Sequence, residues 1–377
     1  MDKITRFLDR IRNAELPLKR WNTIVISAAA GIISLAALTV LIVDPYYRYH
    51  EPWFYDKVYY EIYATAPSIL KNEDFDLLML GTSMTRNFFI EDIEKAFDCR
   101  AVKFAASGGT AGDMVKFLNV AKKNKGDDLR QVIFAIDIYP LNKDYTHWKD
   151  FEYLYRDDHG EDYRYFFSRQ THSSMIYLVK RKLSPKRQRP HQSDRNRMFA
   201  TEYKGKPYGL QPVLKDAVKN EEIHHTQTPF DPEVHRRNFY GGMLPFFDNN
   251  PQIKFIVFLP PYHIYTYCQS EHFNEAEGLI RQRSEVMKEL LKRPNLVLYD
   301  FQSDSKYVTN HDFFSDVQHF SNVAAKEILQ DILNGRRQIT SAADVDANEQ
   351  ELRDVIRENM PLYYQHVKEF RAGSRSK

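Results

Sequence analysis

The chain has 377 residues and a formal net charge of +2, too balanced for a dedicated nucleic-acid binder. Its two cysteines, Cys99 and Cys268, provide neither a disulfide framework nor metal-ligand spacing, and are expected as separate buried thiols. A hydrophobic content of 43% with 14 glycines and 17 prolines supports a sizeable core and excludes extensive disorder.

The first element is an apolar helix. No charged residue occurs from Trp21 to Val43, and Thr23–Val43 is long enough to cross the ~30 Å hydrocarbon core of a bilayer. Lys3, Arg6, Arg10, Arg12, Lys19 and Arg20 precede it, whereas Arg48 and Lys57 are the only arginine and lysine from Asp44 to Pro67. That asymmetry predicts residues 1–22 on the cytoplasmic side, a single pass over 23–43, and the main body outside. Trp21, Tyr46, Tyr47 and Tyr49 suit the two interfaces. A cleaved leader is disfavoured because Asp44-Pro45-Tyr46-Tyr47 follows where small residues would be needed.

After a juxtamembrane segment (44–74), short apolar runs alternate with helical patterns. Strands are predicted at Asp76–Leu80, Val102–Phe104, Gln131–Ile136, Lys254–Leu259 and Asn295–Tyr299. Helices are predicted at Ile90–Phe97, Ala111–Lys123, from Asp231-Pro232, at Glu275–Leu291 and at Asn322–Leu333. The alternation implies an α/β domain over 75–335, a parallel sheet covered by helices on both faces. Residues 141–230 interrupt it and read as an insertion at the sheet's C-terminal edge, helical around Ser173–Lys182. Its basic run Lys180–Pro190 suits a solvated loop, or contact with anionic polymer or lipid headgroups. Residues 336–377 close the chain as a peripheral helix over Asp344–Phe370 and a tail.

Function in open α/β sheets collects at the C-terminal ends of strands. The first strand runs into Gly81-Thr82-Ser83, where a serine at a helix start lies near backbone N–H groups. The second ends at Ala105-Ala106-Ser107-Gly108-Gly109-Thr110, whose glycines leave room for a carbonyl to approach the backbone. After the fifth come Asp316-Val317-Gln318-His319, a spacing that sets a carboxylate behind an imidazole. Each alone suits a cap or a turn; all three together predict a Ser83–His319–Asp316 triad. His224, His225 and His263 have no spacing for a metal site, and no phosphate-binding glycine loop occurs, so neither metal nor cofactor is expected. His263, after Pro260-Pro261-Tyr262, suits either the lining of the site or the surface.

These blocks resemble the SGNH/GDSL hydrolase superfamily over roughly Phe75–Leu333. The resemblance implies a flavodoxin-like three-layer fold, Ser83 as nucleophile, and Asp316 and His319 completing the triad. Two positions depart from the pattern. Thr82 stands where the family has aspartate, and Ile136-Asp137-Ile138-Tyr139-Pro140 stands where an asparagine donates to the oxyanion. The oxyanion hole is then expected from the backbone N–H groups of Ser83 and of Gly108 or Gly109. DPYYRYHEP after the apolar helix, LGTSMTRNF, VIFAIDIYP, FLPPYH and DVQHFS are similar to a membrane-anchored subgroup. That subgroup includes the D-alanyl transfer protein of teichoic acid operons and alginate acetylation proteins. It implies acyl transfer to a surface polysaccharide or teichoic-type polymer, with a membrane-bound O-acyltransferase as partner. A membrane-tethered esterase using the same triad and a non-catalytic scaffold of the acylation machinery are the alternatives.

Overall fold

The computed structural model describes residues 5, 18–184, 193–199, 207–223 and 231–375. In chain order it runs α1 (Leu18–Val43), α2 (Ile62–Asn72), β1 (Leu77–Gly81), α3 (Ile90–Phe97), β2 (Ala101–Ala105), α4 (Ala111–Lys125) and β3 (Gln131–Ala135). Next come α5 (Asp162–Phe167), α6 (Arg169–Leu183), α7 (Leu210–Glu222), a π-helical stretch at Arg236–Met243, α8 (Leu244–Asp248) and β4 (Lys254–Leu259). The chain ends with α9 (Ile264–His272), α10 (Ala276–Leu290), β5 (Leu296–Asp300), α11 (Asn322–Leu333), β6 (Gln338–Ile339) and α12 (Ala342–Arg375).

Two compact units result: Met1–Tyr55 with Arg156–Gln188, and Asp56–Tyr155 with Arg189–Lys377. The stretch 141–230, a single insertion by sequence, is therefore divided. Its 3-10 segment Trp148–Tyr155 packs on α2 and α4, α5 and α6 belong to the first unit, and α7 packs on α9 and α12. Of the basic run, residues 185–190 lie outside the described residues, as do Lys3, Arg6, Arg10 and Arg12.

In the first unit, α1 is long and apolar enough to cross a membrane. It ends at Asp44, whose left-handed backbone (φ 42°) turns the chain sharply. The buried Asp44 carboxylate accepts from the N–H groups of Arg48 (3.0 Å), Tyr49 (2.7 Å) and His50 (2.8 Å), and from the Tyr165 hydroxyl on α5. Tyr46 and Ser174 pair their hydroxyls at 3.1 Å, and Arg48 meets Asp162 at 2.6 Å. DPYYRYH is thus a turn that fastens the end of α1 to α5 and α6.

His50 completes that turn. Its Nε2 faces the Leu41 carbonyl and its Nδ1 the Glu51 carbonyl, both at 2.7 Å, a pair that only an imidazolium can serve as double donor. Burial opposes the charge, but the two carbonyls prevail and the pKa is raised. The contact's stabilisation should be full below the unfolded value of about 6.5 and disappear as pH rises through the folded value. Trp53 stacks on His50 with ring centroids 3.9 Å apart. Its emission should therefore change with alkaline titration, and a His50→Ala chain should show no such transition.

In the second unit, six strands pair in the order β2-β1-β3-β4-β5-β6, the first five parallel and β6 antiparallel to β5. Nearly every residue of β1 to β4 is buried, as expected for a sheet covered on both faces. α3 packs on α11, while α4 packs on α2, α8 and the π-helical stretch. The C-terminal helix extends beyond its predicted bounds. Val345, Leu352, Ile356 and Tyr363 of α12 are buried, and it packs on α7, α9 and α10, so it belongs to the core rather than the periphery. Cys99 and Cys268 are free thiols, Cys99 half-buried and Cys268 buried.

Candidate active site

The strand order reverses between β1 and β3, and the register brings Gly81, Ala105, Ala135 and Leu259 to one edge of the sheet. A crevice outside strand ends forms at such a reversal. Gly81 is required there: a Cβ would lie 2.4 Å from Thr85 Cγ2 and 3.0 Å from Ala135 Cβ. Thr82 then caps a 3-10 turn, Ser83–Thr85, which presents Ser83 at its first position.

Ser83 Oγ lies 2.8 Å from His319 Nε2, and His319 Nδ1 lies 2.9 Å from both Asp316 carboxylate oxygens. The carboxylate keeps the ring proton on Nδ1, so Nε2 accepts from the Ser83 hydroxyl. The DxxH loop is self-supporting: Asp316 Oδ1 also accepts from the N–H groups of Gln318 (2.9 Å) and His319 (2.7 Å). Burial works against the charge of Asp316, yet His319 and these N–H groups hold its pKa below the usual carboxylate range. The histidine and aspartate side chains remain 18% and 14% exposed, open enough for a substrate to reach.

The glycine turn lies beside this group. Ala106 N–H donates to Gly81 O at 2.8 Å, and the Arg86 guanidinium donates to the Ser107 hydroxyl. The two glycines differ. Gly109 N–H already donates to Ala106 O at 2.8 Å and is taken, whereas the N–H groups of Gly108 and Ser83 have no partner among the described residues. Gly108 adopts φ +64°, which strains any other residue.

Several side chains at the site carry no local sequence signal. Two residues singled out by sequence touch each other: Thr82 Oγ1 donates to Asp137 Oδ2 at 3.2 Å. Asp137 is buried and also accepts from Tyr139 N–H (3.2 Å) and the Tyr262 hydroxyl, while burial raises its pKa. Asn87 joins the serine turn to the DxxH loop by donating to Phe320 O, and Asn322 Nδ2 donates to Asn87 O at 2.8 Å. His263 is neither on the surface nor in the site lining. Fully buried, it supports the loop from behind, its N–H donating to Val317 O at 3.0 Å and its ring to His311 Nδ1 at 2.8 Å. His224 and His225 lie outside the described residues. A cavity of about 650 Å³ adjoins Ser315 and Asp316, with Tyr208, Lys215, Asp216 and Lys219 among its walls.

Lys103, in the middle of β2, is the unexpected member. Fully buried, it donates to the carbonyls of Arg86 (2.9 Å) and Phe88 (2.6 Å) and so ties down the segment after Ser83. Burial pushes its pKa down to about 7. Because the unfolded chain holds this proton up to about pH 10.4, stability should rise with pH between those values. Lys103→Met should flatten that rise in denaturant titrations and loosen the Arg86–Phe88 segment, read as faster amide exchange there.

No family model matches the chain, and no curated protein matches it.

Proposed function

We propose that this protein is a membrane-anchored serine acyltransferase of the SGNH type, working outside the cytoplasm on a cell-surface polysaccharide or teichoic-type polymer. The observation that carries this reading is the hydrogen-bonded chain Ser83–His319–Asp316, three residues from distant parts of the sequence meeting at the strand ends. The strand order 2-1-3-4-5 supports it, being that of flavodoxin-like sheets.

Ser83 Oγ attacks the acyl carbonyl as His319 Nε2 takes its proton, and the carbon–leaving-group bond breaks with that proton passing to the leaving group. An acceptor hydroxyl then gives its proton to His319 and attacks the Ser83 ester, and Ser83 recovers the proton on release. The N–H groups of Ser83 and Gly108 are the available oxyanion donors. A membrane-bound O-acyltransferase would deliver the acyl group, and the basic N-terminus would keep α1 oriented with its start inside.

One oxyanion donor contributes about 2.7–4 kcal/mol, so an Asp137 site without the family's asparagine should attack small esters slowly. A held acceptor hydroxyl gains up to roughly 7–11 kcal/mol from positioning that free water lacks. The full chain should therefore form a Ser83 acyl ester, seen by mass spectrometry, that turns over slowly in water and faster with a polymer acceptor. Rapid hydrolysis abolished by Ser83→Ala would favour the esterase instead. Polymer acylation that survives Ser83→Ala in cells would favour the scaffold.

A further inference from the structure

We propose that the turn 44–55 and the helices α5 and α6 are seated in the interfacial layer of the bilayer, in the leaflet reached by the C-terminal end of α1. The inference rests on the reading that α1 spans a bilayer, and it adds a second, non-spanning lipid contact.

Helix length gives the first argument. Every side chain from Trp21 to Leu35 is exposed, but Ala36, Ala37 and Thr39 are half-buried and Val40 and Val43 buried. The contacts of α1 are with α5 and α6, and Tyr55 donates to the Val43 carbonyl. If the covered part stood clear of the lipid, the uncovered part would be about 22 Å long at 1.5 Å per residue. That is too short for a hydrocarbon core of roughly 30 Å. The last two turns of α1 must therefore lie at membrane depth, and whatever packs on them reaches the interface as well.

The surface of the unit gives the second. Outside α1, the described residues of this unit expose six large apolar side chains: Trp53, Phe54, Tyr163, Phe167, Ile176 and Leu183. The described residues of the far larger second unit expose seven. Leu183 is 78% exposed and Trp53 66%, a poor arrangement for water and a suitable one for lipid. Trp53 is also held at the right level, stacked on His50, whose ring meets the carbonyl of Leu41 in the last turn of α1. The 15 residues of α6 include no carboxylate, and Arg169, Lys180 and Lys182 are exposed on it. Aromatic and aliphatic side chains interleaved with cations are the composition of an interfacial helix.

The test uses the full chain reconstituted in vesicles whose lipids are brominated either near the headgroups or near the chain ends. One variant keeps only Trp53 (Trp21→Phe, Trp148→Phe) and another only Trp21 (Trp53→Phe, Trp148→Phe). Trp53 emission should fall about twofold with headgroup-proximal bromine and less with deep bromine, as an interfacial ring requires. Quenched Trp21 with an unquenched, iodide-accessible Trp53 would overturn this inference and leave the span intact. If neither is quenched, the spanning reading falls and this one with it. Should the tryptophan variants misfold, a fluorophore on Leu183→Cys in a Cys99→Ser chain decides the same question: a blue shift on reconstitution supports the seat, and an unshifted spectrum overturns it.

Discussion

Ser83→Ala should lower acyl transfer by on the order of 10⁶-fold, and His319→Ala should cost about as much, because members of a triad act as a unit. The Ser83→Ala/His319→Ala double variant should then be no slower than either single one. Asp316→Asn keeps a hydrogen-bonding side chain but favours the wrong ring tautomer, and a loss of about 10⁴-fold is expected. Single-turnover acylation with an activated ester measures all four. Losses that add, or a Ser83→Ala chain that still acylates, would mean that the 2.8 Å Ser83–His319 contact is not the reacting pair.

The second large effect concerns folding. Arg283 and Asp300 form an ion pair with both side chains 0% exposed. Asp300 also accepts from Ser303 Oγ (2.7 Å), Asn348 Nδ2 (3.0 Å) and Gln302 N–H (3.0 Å), and Arg283 Nε donates to Gln302 Oε1 at 3.1 Å. Burial alone would raise the Asp300 pKa, but Arg283 and these donors bring it below the ordinary value. Its stabilisation is therefore present above the unfolded value of about 3.9 and fades as pH falls through the folded one. Asp300→Ala should cost about 3–5 kcal/mol because it strands a buried guanidinium, whereas Arg283→Met with Asp300→Leu should recover most of that. Urea titration of the three chains decides it; a double variant as unstable as the single one would refute the account.

Much of the sheet could be read locally because fully buried strands appear as uninterrupted apolar runs. Lys254–Leu259 matches β4 residue for residue, β3 is one residue shorter than expected, and β1 and β5 are each displaced by one residue along the chain. What escaped had no local pattern. α2 contains Pro67, which argues against a helix in sequence, and it starts after Glu61 with no side-chain cap to mark its beginning. β6 has two residues, too few for any periodicity. Lys103 interrupts AVKFA in the manner of a solvent-facing residue, and only the distant Arg86 and Phe88 carbonyls account for its burial. At the site, the Asp316–His319 spacing could be seen because it is local. The Thr82–Asp137 contact joins residues 55 apart and has no counterpart in either motif.

The division of the chain has a practical consequence. The polypeptide passes between the two units three times, after Tyr55, after Tyr155 and after Gln188. Protease cleavage after Tyr55 alone would leave the sheet domain covalently attached to Arg156–Gln188 and so still associated with the anchor. Deleting everything before His50 to remove the apolar helix would also remove Asp44, Tyr46, Arg48 and Tyr49. Asp162, Tyr165 and Ser174 would then lose these particular contacts. A chain meant to keep the second unit without the apolar helix should instead begin at Asp56 and carry a polar linker in place of 156–188.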